Sequence, residues 1–230
     1  MRVIPALDIS HGRAVRIVEG DLRSYGNPYQ WLNKFEGAKK IHIIDIDAAL
    51  DKGSNLDLIL EIVKDLTERG IETQVGGGLR DPITIRRVIE AGAFPILGTI
   101  AYERPTILRE LAKDFPLIVA IDLKERKIMI RGWIKETTIE PEQAVSHFRD
   151  IGVKEFLITD IDSDGRLSGY LGGISLPSSF PELMFTYAGG IRDMEDLERL
   201  SNDGFSSAVV GRAIYETDLM QKLIERGWEI

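Results

Sequence analysis

Three motifs occur twice in this chain at nearly the same separation. Pro5-Ala6-Leu7-Asp8 returns as Val119-Ala120-Ile121-Asp122. Gly77-Gly78-Leu79-Arg80-Asp81 returns as Gly189-Gly190-Ile191-Arg192-Asp193. Leu97-Gly98-Thr99-Ile100-Ala101-Tyr102-Glu103 returns as Val210-Gly211-Arg212-Ala213-Ile214-Tyr215-Glu216. Asp8 to Asp122 is 114 residues, Gly77 to Gly189 is 112 and Gly98 to Gly211 is 113. A repeat of this kind constrains architecture before any local signal does. It calls for two similar halves, about 1–114 and 115–230. No linker separates them, so a single domain is expected over 1–230.

Short apolar runs alternate with amphipathic stretches throughout. The runs at 3–7, 41–45, 71–75, 94–97, 117–121, 154–159, 184–188 and 208–210 are β-branched and do not alternate with polar residues. Strands of a parallel sheet buried on both faces read this way. Helical spacing follows most of them. Over 55–69 it puts Leu56, Ile59, Leu60, Val63 and Leu66 on one face, and 81–91 opens with Asp81-Pro82, a cap and first-turn pair. Helices are also expected at 104–113, 140–150, 193–201 and 216–226. Eight such units predict an α/β fold, a closed (β/α)8 TIM barrel made of two (βα)4 half-barrels. Gly, Pro and Ser fill the stretch from Asp164 to Met184, so the sixth outer helix is expected to be short or missing. Residues 127–131 alternate after the fifth strand and suggest a hairpin, matched by 14–18 after the first.

The chain carries 37 acidic and 29 basic residues, a net charge of −8. That argues against a nucleic-acid or membrane-surface binder. It leaves room for an anionic substrate, which backbone N–H groups and a few arginines can hold. The absence of cysteine excludes disulfides, thiolate metal sites and a cysteine nucleophile, and fits a reducing cytoplasm. No apolar leader and no run of about 18 apolar residues is seen, so neither secretion nor a membrane span is expected.

Active sites of such barrels lie at the C-terminal ends of the strands. Asp8 and Asp122 end the first and fifth runs. One such aspartate could merely cap a turn. Two, related by the repeat, point to acid–base chemistry, one ionised as base and the other tuned to donate a proton. Gly76-Gly77-Gly78 with Gly98, and Gly189-Gly190 with Gly211, would let backbone N–H groups converge on an anion. Either set alone could be a tight turn. Two equivalent sets predict two phosphate sites and a substrate phosphorylated at both ends. Asp45, Asp47, Thr159, Asp160, Asp162 and Asp164 are further mouth candidates. Arg16, Arg80 and Arg131 are possible phosphate partners, and Trp133 could pack in the core or stack on a planar ring. The run from Asp160 to Gly165 lacks the spacing of a calcium loop. His42 reads as packed, His11 as a loop residue and His147 as solvated, so no metal site is expected.

Val3 to Asp8, Gly12-Arg-Ala-Val-Arg16 and Glu19-Gly20-Asp21 resemble the opening of the histidine-biosynthesis Amadori isomerases, the phosphoribosylformimino aminoimidazole carboxamide ribotide isomerases. The likeness continues through His42-Ile-Ile-Asp45-Ile-Asp47, Gly53-Ser-Asn55, Gly76 to Asp81, Gly98-Thr99, Arg131-Gly-Trp133, Thr159 to Gly165, Gly189-Gly-Ile and Val210-Gly-Arg-Ala. The resemblance implies Asp8 as general base and Asp122 as general acid, with Thr159 and Asp164 assisting. It implies Gly77, Gly78, Gly98 and Thr99 around one phosphate, with Arg16 nearby. Gly165, Gly189, Gly190, Gly211 and Arg212 would surround the other, and Trp133 would stack on the imidazole carboxamide. The implied reaction converts an aminoaldose to an aminoketose, without cofactor and without an obligatory protein partner. The stretch 168–181 is shorter than the family's usual sixth helix, which bears on loop six and on Asp164. Three other readings stay open. One is a bifunctional isomerase that also takes phosphoribosyl anthranilate. Another is the related cyclase subunit, whose opening motif usually has Cys where Ala6 stands. The third is a non-catalytic phosphosugar-binding barrel, which would have no need of both aspartates.

Overall fold

The computed structural model describes residues 1–18, 21–35 and 37–230. Glu19 and Gly20, part of the opening motif, lie outside the described residues. Eight parallel strands form the frame: β1 (Arg2–Ser10), β2 (Lys40–Asp45), β3 (Glu72–Gly76), β4 (Phe94–Leu97), β5 (Ile118–Lys124), β6 (Glu155–Asp160), β7 (Met184–Ala188) and β8 (Ser207–Val210). Each pairs in parallel with the next, and β8 pairs with β1, so the sheet closes on itself as a (β/α)8 TIM barrel.

The strand sequences are apolar throughout because both faces are buried. Ile4, Ala6, Ile96, Ile118, Ala120, Leu157, Ala188 and Val209 fill the barrel interior. Their neighbours Val3, Leu7, Ile41, Ile43, Val119, Ile121, Phe156 and Ile158 face outward and join the core against the helices. Below the interior layers, Lys40 Nζ reaches Glu155 Oε1 at 3.0 Å and lies 5.0 Å from the Phe94 ring.

The outer helices follow the predicted pattern. Leu56–Glu68, Pro82–Glu90, Pro105–Leu111, Pro141–Ile151 and Met194–Asn202 are present. The repeated aspartates Asp81 and Asp193 cap two of them, each accepting two backbone N–H groups. The helix expected at 216–226 is present as Leu219–Glu225, and a separate short helix, Arg212–Glu216, precedes it. Pro28–Lys34 forms a helix that periodicity did not announce, because seven residues complete too few turns to show a face. Asn27 caps it and Pro28 starts it. Between β6 and β7 only Leu176–Ser179 is helical. Tyr170 helps to fill the space of the missing helix. It packs edge-on against Tyr187 and Phe205, and its hydroxyl donates to Asp203 at 2.7 Å.

Both expected hairpins are present. Arg13–Val18 runs antiparallel to β1, with Asp8 opposite Val15, and Lys127–Ile130 runs antiparallel to β5, with Asp122 opposite Met129. β1 and β5 therefore continue past the two aspartates into the loops.

Candidate active site

The C-terminal ends of the strands enclose a cavity of about 280 Å³. Asp8, Asp122, Thr159 and Asp164 line it, as do both glycine sets, Trp133 and the arginines Arg16, Arg80, Arg131 and Arg212. Folding thus gathers residues more than 200 positions apart in sequence around one space.

The two glycine sets repeat in three dimensions. Gly77 and Gly189 have φ of +91° and +118°, and Gly78 and Gly190 have φ of +69° and +66°. A Cβ on Gly78 would lie 2.7 Å from the backbone carbonyl carbon of Ala48. One on Gly190 would lie 2.7 Å from the Ser163 Cβ. These positions need glycine for both conformation and space. Gly98 and Gly211 precede the short helices Thr99–Glu103 and Arg212–Glu216, and both have φ and ψ near −100°.

Asp8 and Asp122 stand in equivalent registers but have different partners. Arg16 Nη1 donates to Asp8 Oδ2 at 2.5 Å. The Trp133 indole Nε1 donates to Asp122 Oδ2 at 2.8 Å. Burial pushes the Asp8 carboxyl up, while the adjacent Arg16 charge pulls it back. Burial also pushes Asp122 up, opposed by hydrogen bonds from Thr159 and Trp133. Asp164 is raised to about 6, first by burial and then by the negative charge of Asp8, with Arg16 opposing and Asp122 adding to it. Three carboxyls therefore share one cavity with one closely held guanidinium, an arrangement that favours a mixed protonation state near neutral pH.

His42, read as a packed histidine, is buried but also lines the cavity floor. Its Nδ1 lies 2.8 Å from Gln74 Nε2. Burial, with the charges of Arg16 and Lys40, lowers it to about 3, so it is neutral at physiological pH. Its place opposite Ala6 in the β1–β2 register gives it this position. A strand histidine three residues before the strand-end Asp45 is the only sequence signal for it.

The model of the family described as histidine biosynthesis protein matches residues 2–220. The chain belongs to this family. It is 35% identical to the Thermococcus onnurineus 1-(5-phosphoribosyl)-5-((5-phosphoribosylamino)methylideneamino) imidazole-4-carboxamide isomerase, over 98% of each chain. Proteins of the same name from Pyrococcus furiosus and Lactococcus lactis are each 35% identical, covering 94% of this chain and 89% and 92% of theirs.

Within this histidine biosynthesis protein, four arginines differ from simple phosphate ligands. Arg16 does not stand beside Gly78. A Cβ on Gly211 would lie 2.8 Å from its guanidinium carbon, so it belongs to the opposite end of the cavity. The cause is its hairpin. The strand Arg13–Val18 folds back on β1, and the guanidinium is drawn onto Asp8 and the Ala6 carbonyl. Arg80 donates to the carbonyls of Ala48 and Ala49 and pairs with Asp51. Arg131 pairs with Glu103, and its backbone N–H donates to the Thr99 hydroxyl at 2.8 Å. Arg212 reaches the Gly165 carbonyl at 3.0 Å and Glu216 at 2.7 Å. Each of these last three ties one mouth loop to another.

Asp45, Asp47, Asp160 and Asp162 do structural work instead. Asp45 caps the helix Ile46–Ala49 and accepts from Asn55. Asp47 accepts from the Ser10 hydroxyl and the His11 N–H. Asp160 accepts from the Ser163 hydroxyl, and Asp162 from the Glu125 N–H. His147 is exposed, as expected. Among the described residues, no three His, Asp or Glu side chains are grouped so as to hold a metal ion. None of the described helices is long and apolar enough to cross a membrane.

Proposed function

We propose that this chain is an isomerase of histidine biosynthesis. It converts the N-linked phosphoribosyl aminoaldose of an imidazole carboxamide ribotide to the aminoketose by an Amadori rearrangement, with the whole chain acting as one barrel domain. The observation that carries the reading is the pairing of Asp8 and Asp122. They occupy equivalent registers of β1 and β5 on one cavity, flanked by two equivalent glycine sets.

Asp122, protonated, gives its proton to the ring oxygen of the aminoaldose, and the C1′–O bond breaks to leave an iminium. Asp8, ionised and held by Arg16, takes the proton from C2′. The electron pair of that C–H bond neutralises the nitrogen and gives an enolamine. Loss of the C2′ hydroxyl proton with protonation at C1′ then yields the ketone. Ordinary aspartates have pKa values near 3.9, and two of them could not divide these roles at neutral pH. Burial of Asp122 and Asp164 supplies the needed upward shift. Asp164 and Thr159 assist ring opening. One phosphate is held by backbone N–H groups around Gly77, Gly78, Gly98 and Thr99. The other is held around Gly165, Gly189, Gly190, Gly211 and Arg212, with Arg16 at this end. The Trp133 ring faces the imidazole carboxamide.

Purified protein, given the aminoaldose, should form the ketose. Asp8→Asn keeps the shape and removes the base, so turnover should fall at least ~10²-fold with substrate affinity little changed. Near wild-type turnover by Asp8→Asn, measured free of host enzyme, would sink the assignment. Phosphoribosyl anthranilate assayed in parallel tells a bifunctional enzyme from a dedicated one.

A further inference from the structure

Two tyrosines related by the repeat make the same hydrogen bond. Tyr102 Oη donates to the Ala120 carbonyl at 3.1 Å, and Tyr215 Oη donates to the Ala6 carbonyl at 2.8 Å. Each reaches the next barrel strand, two residues before the aspartate proposed to act. Their surroundings differ. The ring of Tyr102 packs edge-on against Phe148. The ring of Tyr215 lies 4.1 Å from Trp31, centroid to centroid, and 4.9 Å from the Arg16 guanidinium carbon. Arg16 also donates to the same Ala6 carbonyl.

The hydrogen bond is thus common to both halves, while the cation over the ring belongs to one. A buried guanidinium has long rotamer freedom to lose, and two carboxyl groups, Asp8 and Asp164, compete for it. An aromatic face that fits it from one side selects one pose. We propose that Tyr215 is a positioning residue for this site: its ring, in contact with Trp31, holds Arg16 on Asp8. The inference rests on the isomerase reading above. Without the ring, Arg16 can turn toward Asp164 or the phosphate end, and Asp8 loses its counter-charge. The groups that face Asp8 electrostatically are Arg16 from the hairpin, Asp164 from the loop after β6 and Tyr215 itself.

The test compares Tyr215→Leu, Tyr215→Phe and Tyr102→Leu with the wild type. The Asp8 carboxyl is titrated by carbon-13 NMR in ligand-free protein, and kcat, KM and the acid limb of the rate profile are measured alongside. In Tyr215→Leu the Asp8 titration and the acid limb should move up by about one pH unit. At any pH on the acid limb kcat should fall about tenfold, with KM changed less than about twofold. Tyr215→Phe should keep both near wild type. Tyr102→Leu should lower the melting temperature without moving Asp8. Should Tyr215→Leu fail to fold, a ring-fluorinated phenylalanine at 215 keeps the shape and weakens the negative face, and it should shift Asp8 the same way. An Asp8 titration unmoved by loss of the ring overturns the proposal, as does equal damage from Tyr215→Phe. A wild-type protein inactive on the aminoaldose overturns the isomerase reading instead. The NMR titration still reports on Tyr215 in that case.

Discussion

The indole N–H of Trp133 donates to Asp122 across 2.8 Å, so the aromatic residue of loop five grips the aspartate of β5 directly. In the first half-barrel the equivalent aspartate, Asp8, is held by a guanidinium from its own hairpin. The repeat has kept the carboxylates and exchanged their partners. A cation favours the ionised form more than a neutral donor does. On the isomerase reading, this difference in partner favours Asp8 as base and Asp122 as acid.

The Trp133 contact predicts a shift in one limb of the pH profile. The N–H favours ionised Asp122, so its removal raises the carboxyl further. In Trp133→Phe the alkaline limb of kcat should move to higher pH while the ring is kept. Trp133→Ala should in addition raise KM, since aromatic stacking contributes about 0.5–1.5 kcal/mol beyond burial. A Trp133→Phe profile that overlays the wild type would show that this hydrogen bond does not tune the acid.

On the isomerase reading, Asp164 links activity to stability. Its folded pKa of about 6 lies above the ordinary 3.8. The native state therefore binds this proton more tightly than the unfolded state does. The stability it contributes is fully present below about pH 4 and lost as the pH rises through about 6. Asp164→Asn should raise the melting temperature of ligand-free protein at pH 7 and leave it nearly unchanged at pH 4, while turnover falls. Calorimetry at the two pH values checks the sign.

The glycines separate by what surrounds them. A Cβ at Gly98 meets nothing within 4 Å, whereas one at Gly78 meets the Ala48 backbone at a φ of +69°. Gly98→Ala should raise KM for a bisphosphorylated substrate and leave the melting temperature close to wild type. Gly78→Ala should lower the melting temperature first. Equal thermal loss in both variants would contradict this division.

The Lys40–Glu155 pair lies under the barrel, away from the cavity, and its side chains are 7% and 19% exposed. Lys40→Met leaves a largely buried carboxylate without its partner, which costs about 3–5 kcal/mol. The melting temperature should fall sharply with kcat unchanged. Lys40→Met combined with Glu155→Leu should recover most of the loss. A single variant as stable as the double would show that the pair contributes little.

By itself the sequence determined the barrel, its two-fold repeat and the gathering of its strand-end residues on one mouth. Those signals are local or periodic. Apolar β-branched runs report burial on both faces, and a motif repeated near 113 residues carries its environment with it. The short sixth helix was legible from Gly, Pro and Ser for the same reason. The tertiary structure alone decided which partner each group has. Arg16 rests against Gly211 rather than Gly78, Trp133 donates to Asp122, and Tyr215 reaches Ala6 across 209 residues of sequence. Arg80, Arg131 and Arg212 tie loops together, and His42 rises to the cavity floor. Such contacts join residues from distant elements, and long side chains choose among several acceptors within reach. Composition and spacing do not encode that choice. The packed barrel makes it, by limiting which acceptor each donor can meet.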